Sequence, residues 1–379
     1  MSEKILKGWK WIKLGEVAEI KMGQSPESKY YNDKGIGLPF LQGNKTFGYR
    51  YPEIDMFCSN PIKIARKGEI LISVRAPVGD INITNQDICI GRGLASINSL
   101  FNQNEFLFYC LKYSKNDLLA SETGTVFGSI NKDTLNNFPI LLPPLPEQKA
   151  IAEVLSSIDD KIDLLHRQNK TLEEMAMTLF RQWFIEPTKD GLPEGWEEKA
   201  LDEIAEFLNG IPSQKYPGDK LPVIKIKEMR EGITESSDYC NNNVPEKYLV
   251  NSGDILFSWS GSLEVVIWFG SIGVLNQHIF KVTSLEYPKW FCYLSIKQHI
   301  EEFRAIAESK TTTMGHIQRE HLSNTKVFIP PKIFFENYNK AMTTIFDKII
   351  ANNAEIRTLE KLRDSLLPKL MSGEVRVKV

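Results

Sequence analysis

The sequence lacks the short motifs by which several enzyme classes are identified. Its five cysteines include no Cys-x-x-Cys pair and its five histidines include no His-Glu-x-x-His motif, so we expect no zinc or redox site. No stretch approaches the ~18–20 apolar residues of a membrane span, and no apolar run follows the first lysines as in a signal peptide. The sequence therefore predicts a cytoplasmic protein whose cysteines are ordinary core thiols.

Motifs that bind nucleotides or nucleotide-derived cofactors are missing as well. The sequence GNKT at 43–46 lacks the spacing of a P-loop, DKGIG at 33–37 is better interpreted as a turn, and no Asn-Pro-Pro-Tyr/Phe box of an amino-methyltransferase occurs. A carboxylate–metal nuclease needs a strand aspartate followed by Glu-x-Lys to hold its ion. Glu-x-Lys is a common tripeptide that occurs, for example, at 19–21, 27–29 and 308–310, but without such an aspartate. These absences favour a protein without a catalytic centre of its own.

An excess of either charge is also absent. The chain has 46 basic and 48 acidic residues, so a nucleic-acid surface would have to consist of local patches. Hydrophobic residues make up 42% and charged residues 25%, as in ordinary globular proteins. A length of 379 residues suggests two or three domains.

The chain repeats itself. The opening GWKWIKLGEVAEI returns as GWEEKALDEIAEF, so that Trp9 and Trp196 are 187 residues apart. The interval recurs near the end of each half, where Pro143 corresponds to Pro330, and it shortens to 185 in the middle, where KGEILIS at 67–73 aligns with SGDILFS at 252–258. Loop insertions produce such drift in a duplicated domain. We interpret the chain as a tandem duplication.

Each half contains two kinds of segment. Short apolar runs such as ILISV, CIGRGLASI, DILFSW and HIFKV predict β-strands, whereas NEFLFYCLKYSKNDLL and PKWFCYLSIKQHIEEFRAIA predict helices. The end of each half carries a heptad pattern that predicts a long helix. The predicted seam consists of Ile151, Leu155, Ile158, Ile162, Leu165, Asn169, Leu172, Ala176, Leu179 and Trp183, and of Tyr338, Met342, Ile345, Ile349, Asn352, Ile356, Leu359, Arg363, Leu366 and Leu370.

These segments predict an α+β protein of four parts. Two tandem α/β domains, at 1–145 and 187–331, alternate with helices at 146–186 and 332–379 that pair as an antiparallel coiled coil with pseudo-twofold symmetry. At about 1.5 Å per residue, the paired helices would form a rod on the order of 50 Å. Asn169 and Asn352 interrupt the seam, and each is expected either to fix the helix register or to face solvent at a loose position.

Several segments together resemble a known family. They are LGEVAEI at 14–20, PPLPEQKAIAEVLSSIDDKID at 143–163, LPEGW at 192–196, LNQHIFKV at 275–282 and LLPKLMSGEV at 366–375. In this combination, and over essentially the full length, the sequence resembles the specificity (S) subunit of type I restriction-modification systems. The resemblance implies a non-catalytic DNA-binding protein in which each globular domain is a target recognition domain for one half of a bipartite, asymmetric site.

The resemblance also implies partners and cofactors. The helices would act as conserved spacers and dock two methyltransferase (M) subunits, which bring S-adenosylmethionine, while restriction/translocase (R) subunits add ATP- and Mg-dependent translocation and cleavage. No cofactor is implied for this chain itself. The residues leave two alternatives open: an enzyme with a cryptic active site, and a coiled-coil scaffold whose globular ends bind protein.

Candidate DNA contacts follow from side-chain chemistry in the loops, which differ between the halves. RAPVGD at 75–80 aligns with SGSLEV at 260–265, and GRGLA at 91–95 with NQHIF at 276–280. Arg and Lys donate to guanine and Gln and Asn bond adenine, although basic side chains also contact phosphate. In the first domain we select Gln24, Ser25, Lys29, Tyr30, Lys45, Arg75, Arg92 and Thr125. In the second domain we select Gln214, Lys215, Tyr216, Lys225, Lys227, Arg230, Gln277, His278, Lys310 and Thr312.

Overall fold

The computed structural model describes residues 8–120, 129–213, 216–234, 236–309 and 315–378. The chain divides into two compact units. Unit 1 comprises Met1–Leu164 and Ile356–Val379, and unit 2 comprises Leu165–Glu355. Each unit therefore contains one globular domain and a part of each long helix. Within the described residues, no helix has the length and apolarity needed to cross a membrane.

The domain of unit 1 contains two main sheets. One is antiparallel in the order β2-β10-β7-β8, the other has the order β3-β5-β4-β9-β6 with β4 and β9 parallel, and β1 and β11 form a separate ribbon. The strands are β1 Lys10–Lys13, β2 Ala18–Met22, β3 Tyr31–Asn32, β4 Leu38–Leu41, β5 Phe57–Cys58, β6 Ile64–Ala65, β7 Ile70–Ser73, β8 Ile81–Ile83, β9 Ile88–Ile90, β10 Leu94–Ser99 and β11 Pro139–Leu142. The helices are α1 Leu14–Val17, α2 Asn104–Tyr113, α3 Lys115–Ala120, α4 Lys132–Asn137 and α5 Leu145–Phe180.

The continuous apolar run of β7 reflects burial on both faces of its sheet. Ile70 and Ile72 pack in the same core as Phe106 of α2, whereas Leu71, between them, packs in the core of the second sheet with Ile90. A strand that is covered on both sides needs apolar residues at successive positions and not at alternate ones. The strand is thus held between helix α2 and the second sheet.

The domain of unit 2 repeats this plan. Its antiparallel sheet has the order β13-β20-β17-β18, a second sheet has the order β15-β14-β19-β16, and β12 pairs with β21. The strands are β12 Glu197–Ala200, β13 Glu206–Asn209, β14 Pro217–Ile224, β15 Tyr239–Cys240, β16 Leu249–Val250, β17 Ile255–Ser258, β18 Val265–Ile267, β19 Gly273–Leu275, β20 Ile279–Thr283 and β21 Lys326–Ile329. The helices are α6 Leu201–Ile204, α7 Ile226–Glu231, α8 Lys289–Gln298, α9 Ile300–Glu308, α10 Arg319–Asn324 and α11 Lys332–Met371.

Glu16 and Glu203, at equivalent positions of the two halves, cap the N-termini of the short helices α1 and α6. The Glu16 carboxylate accepts a hydrogen bond from the backbone N–H of Lys13 at 3.3 Å, and Glu203 accepts one from Ala200 at 2.6 Å. Each pair satisfies a backbone donor that the first helical turn leaves without an intrahelical partner. These repeated residues therefore have a structural role.

The two long helices run antiparallel. Within unit 2, Asn169 of α5 faces Asn352 of α11. Trp183, just after the end of α5, stacks on Tyr338, earlier in α11, with ring centroids 4.5 Å apart. Both asparagines are buried, and the Asn352 amide nitrogen donates to the Asn169 oxygen at 2.9 Å. Of the two alternatives for this pair, exposure to solvent is wrong.

The predicted seam is wrong at Leu179 and Leu366, whereas Leu370 is buried as the seam predicts. Leu179 and Leu366 are only partly buried, whereas Phe180, Phe184 and Leu367 are buried. From Ala176 onward the buried positions are four residues apart, at Phe180 and at Phe184, and Phe184 lies in a π-helical stretch at Arg181–Ile185 that follows α5. The wider turn of a π-helix rotates the buried face, which a strict heptad cannot anticipate.

The asparagine pair gives a prediction about stability. Asn169→Leu alone is expected to cost ~1–3 kcal/mol, because it leaves the buried Asn352 amide without its acceptor. The double variant Asn169→Leu/Asn352→Leu is expected to be about as stable as the natural chain or more stable, because no buried polar group is then left unpaired. Denaturant unfolding of the natural chain, both single variants and the double variant measures the coupling. Additive single effects would contradict a direct interaction.

Candidate nucleic-acid interface

The loops at one end of the antiparallel sheet of unit 1 are held together by backbone hydrogen bonds. Gly23 directly follows β2, and its N–H donates to the Leu94 carbonyl at 2.9 Å. The N–H of the next residue, Gln24, donates to the Ile90 carbonyl at 3.0 Å. A Cβ at Gly23 would lie 2.2 Å from the Gly91 carbonyl oxygen, so only glycine permits this approach. The loop after β2 and the loop before β10 therefore lie side by side. We call this the first loop end.

Three of the predicted contact residues meet at the first loop end. The Ser25 hydroxyl accepts a hydrogen bond from the Arg92 backbone N–H at 3.1 Å and donates to the Gln42 side-chain oxygen at 3.0 Å. Gln24, Gln42 and Arg92 are all exposed. The arrangement presents two amides and one guanidinium to solvent from a backbone that the sheet fixes.

Arg75 belongs to the same end, since it follows β7 and forms a β-bridge with Ser129. The side chains of Arg75 and Arg92 are exposed and make no ion pair with any residue that the structure describes. Toward the described residues, both guanidiniums therefore keep their donors for a ligand.

The other candidates of unit 1 stand in two short 3₁₀ turns or outside the described residues. Lys29 and Tyr30 form a short 3₁₀ turn before β3, where the Lys29 ammonium pairs with Glu27 at 2.7 Å and lies 5.0 Å from the Tyr30 ring centre. Lys45 is exposed in the 3₁₀ turn after β4. Thr125 lies outside the described residues.

Unit 2 has an equivalent end. The Gly210 N–H donates to Ile279 at 3.0 Å, and a Cβ at Gly210 would lie 2.1 Å from the Asn276 carbonyl oxygen. The loop after β13 therefore lies against the loop before β20, as in unit 1. This second loop end carries Gln277 and His278 where the first carries Arg92 and its neighbour.

The second loop end is partly aromatic. The His278 ring lies 2.9 Å from the Ser260 hydroxyl through Nδ1 and 3.2 Å from the Gln277 amide through Nε2. The Trp259 indole N–H donates to Asn209 at 2.9 Å, and its ring lies 5.7 Å from the His278 ring. The half-buried rings of Trp259 and His278 form an aromatic surface, beside which lies the Gln277 amide.

The remaining candidates of unit 2 are mostly bound within their own domain. Arg230 donates through Nε to Glu264 at 2.7 Å, and this hydrogen bond raises the pKa of Arg230 further above its ordinary value. Lys225 pairs with Asp238, and Lys227 donates to Ser236 at 2.6 Å. Tyr216 is half-buried before β14. Gln214, Lys215, Lys310 and Thr312 lie outside the described residues.

Comparison with known proteins relates these features to one family. The family model described as "Type I restriction modification DNA specificity domain" matches residues 6–174 and again 193–363. The two matches cover most of the chain. The chain belongs to this family.

Relatives agree with this assignment. The type I restriction enzyme MjaIX specificity subunit of Methanocaldococcus jannaschii is 29% identical, over 99% of this chain and 95% of its own length. The HindI specificity subunit of Haemophilus influenzae is 23% identical, over 97% and 99%. The crystal structure of a type I restriction-modification S subunit from M. genitalium has the same fold, with a TM-score of 0.56, 18% identity and coverage of 98% of this chain and 97% of that one.

As a specificity subunit, the chain recognises DNA in a sequence-specific manner and is not itself the enzyme.

The sequence did not predict several residues of the two loop ends, namely Gln42, Asn209, Trp259, Ser260 and His316. Gln42 follows β4 of the second sheet, and no local sequence pattern indicates that it lies beside Ser25. The alignment of the halves could have found Ser260, because it corresponds to Arg75 at an interval of 185.

Proposed function

We propose that the chain recognises a bipartite, asymmetric DNA site with an unread gap. Residues 1–145 and 187–331 would be the two target recognition domains, and residues 146–186 and 332–379 the spacer helices. The observation that carries this proposal is the pair of loop ends, which share one backbone frame but differ in side chains, with Arg92 in one and Gln277 in the other. Equivalent frames with unlike side chains suit the reading of two unlike half-sites.

The first loop end suits bases that offer acceptors in the major groove. An arginine can donate two hydrogen bonds to guanine O6 and N7, and a glutamine can bond adenine on two edges. Arg92, Arg75, Gln24 and Gln42 supply these groups, with Ser25 beneath them. We propose that they read the first half-site.

The second loop end suits a different set of base edges. Gln277 supplies an amide, His278 a ring whose donor and acceptor roles depend on its tautomer, and Trp259 an apolar face for a thymine methyl group or a sugar. Arg230, Lys225 and Lys227 already have acidic or hydroxyl partners and are better suited to contact phosphate after those pairs exchange. We also retain Tyr216, Lys29, Tyr30, Lys45, Thr125, Gln214, Lys215, Lys310 and Thr312 as candidate contacts.

The proposed partners are two methyltransferase subunits and the restriction/translocase subunits. The methyltransferases would supply S-adenosylmethionine and the translocases ATP and Mg-dependent chemistry. Because the chain has a net charge of only −2, we propose that the partners contribute much of the electrostatic affinity for DNA. Nanomolar binding of the isolated chain to its site at physiological salt would contradict this part of the proposal.

The test is to express the chain with its neighbouring methyltransferase and to map methylated adenines in host DNA by single-molecule sequencing. A bipartite, asymmetric motif with a fixed gap supports the proposed function and supplies the target. A stable complex without any methylated motif would contradict it and would favour the scaffold alternative. Binding of S-adenosylmethionine by the isolated chain would favour the enzymatic one.

Arg92 gives a prediction about base reading. Arg92→Ala is expected to lose ~1–3 kcal/mol of discrimination at one base pair of the first half-site and to leave the second half-site unchanged. Lys149→Ala, which removes an exposed charge from α5, serves as the control. Competition binding by the assembled complex, with each position of the target varied, measures both. A uniform loss over all sequences would show that Arg92 contacts phosphate instead.

A further inference from the structure

Unit 1 contains a buried ionic cluster between its domain and both long helices. Asp159 of α5 is almost fully buried and accepts hydrogen bonds from the Tyr49 hydroxyl at 2.7 Å and the Tyr109 hydroxyl at 2.9 Å. It also accepts one from the Arg363 guanidinium of α11 at 3.1 Å, and Arg363 contacts Tyr49 as well. One carboxylate therefore joins a domain loop, helix α2 and both long helices.

A second cation extends this cluster. Arg50, which follows Tyr49 in the same loop, is 2% exposed and donates to Tyr109 at 2.9 Å and to Glu105 at 2.6 Å. Its Nε lies 3.2 Å from the Asp160 carboxylate. Every member is bonded in a defined direction, so the cluster specifies one orientation of the domain loop against the helices of unit 1.

The equivalent junction in unit 2 is apolar. The position equivalent to Asp159 in the second half, 187 residues later, is Phe346. The Phe346 ring packs edge-on against the Tyr293 ring, with centroids 5.9 Å apart. The position equivalent to Arg363 is Ala176, which is fully buried. An ion pair beside this junction joins Lys297 and Glu173, which are both partly exposed, at 3.0 Å.

The contrast indicates that the cluster has a role beyond stability. Burying charges costs desolvation energy, and well-packed apolar residues often stabilise a junction equally well, as unit 2 illustrates. The hydrophobic effect has no preferred direction, whereas each hydrogen bond of the cluster requires a defined angle. The ionic junction therefore restricts the orientation of the first domain more than an apolar one would.

We propose that the Asp159 cluster fixes the orientation of the first target recognition domain on the helix pair and thereby restricts the gap length that the complex accepts. Asp159 is in this sense a positioning residue and does not itself contact DNA. The inference rests on the proposed bipartite reading. One base pair added to the gap rotates a half-site by about 34° and moves it by about 3.4 Å, so a rigid junction should reject it.

The experiment uses the full chain assembled with its methyltransferase and DNA duplexes that carry the mapped target with the natural gap or with one base pair more or fewer. The variants are Asp159→Asn and the milder Tyr49→Phe, which removes only one hydroxyl of the cluster. Glu173→Gln, which breaks the ion pair at the equivalent junction of unit 2, is the matched control. Competition binding gives the preference for the natural gap, a quantity that a uniform loss of folded protein does not change.

We expect Asp159→Asn to lower the preference for the natural gap by about tenfold, which corresponds to ~1.4 kcal/mol, Tyr49→Phe to lower it by a smaller factor, and the control to leave it unchanged. Natural-gap preference in both variants equal to that of the unmodified chain would overturn the inference while leaving bipartite reading intact. An unmodified complex that binds all gap lengths equally would instead overturn the proposed function. The two failures are thus distinguishable.

Discussion

Replacing Phe184 with alanine is expected to lower the free energy of unfolding of unit 2 by about 4 kcal/mol, within the range for removal of a buried aromatic ring. Phe184 is 1% exposed. Its ring centre lies 4.9 Å from that of Phe180, 5.3 Å from that of Phe291 and 5.5 Å from that of Tyr338, so α5, α8 and α11 all lose contacts in the variant. A cavity bounded by three helices cannot close without moving one of them.

Hydrogen exchange measured by mass spectrometry reports this effect directly. The protection of amides in α8 should fall by roughly three orders of magnitude, because ~1.4 kcal/mol corresponds to a factor of ten. Phe334→Ala removes the same side chain from an exposed position of α11 and is the control, with an expected change below ~0.5 kcal/mol. Equal losses of protection in the two variants would refute a specific packing role for Phe184.

The architecture could be predicted from the sequence where one local pattern repeats. The runs ILISV and DILFSW were predicted as strands and form β7 and β17, and the two heptad patterns form α5 and α11. The duplication makes such predictions more secure, because each pattern occurs twice and a chance match in one half would have no counterpart in the other. The shift of the buried face to Phe180 and Phe184 could not be predicted, since it depends on a π-helical stretch and on aromatic neighbours distant in sequence.

The candidate interface was predictable only in part, for a related reason. Arg92 and Gln277 stand in loops where the halves diverge, which the alignment of the halves reveals. The ion pair of Arg230 with Glu264 joins residues 34 positions apart and has no local signal. A list of basic loop residues therefore cannot distinguish free cations from those already neutralised within the domain.

The buried cluster of unit 1 is the feature least visible in the sequence. Asp159 stands in the run SSIDDKID, which has the composition of a solvated helix face. Only the fold shows that Asp159 is buried while the adjacent Asp160 is exposed, with side-chain exposures of 2% and 59%. The two neighbouring aspartates thus provide a matched pair for an experiment.

Replacing Asp159 with asparagine is expected to lower the free energy of unfolding of unit 1 by about 3 kcal/mol at pH 7, because it leaves buried cations without their carboxylate. Burial by itself would raise the pKa of Asp159, but Lys112, the hydrogen bond from Tyr49 and Arg363 outweigh it and hold the pKa below the ordinary 3.8. Stability that depends on a carboxylate with a lowered pKa is fully present above the ordinary value and is lost as the pH falls through the folded value.

The difference between the natural chain and Asp159→Asn should therefore stay constant from about pH 7 to about pH 5 and shrink below about pH 4. Asp160→Asn, which removes an exposed carboxylate beside the buried Arg50 guanidinium, is expected to cost about 1 kcal/mol over the same range, because Arg50 keeps Tyr109 and Glu105 as partners. Both variants are measured by denaturant unfolding at a series of pH values, with hydrogen exchange of the amides in α2 as the readout for unit 1. A difference that persists undiminished to pH 2 would mean that Asp159 contributes through its shape, and the buried charge would then have no part in holding the domain to the helices.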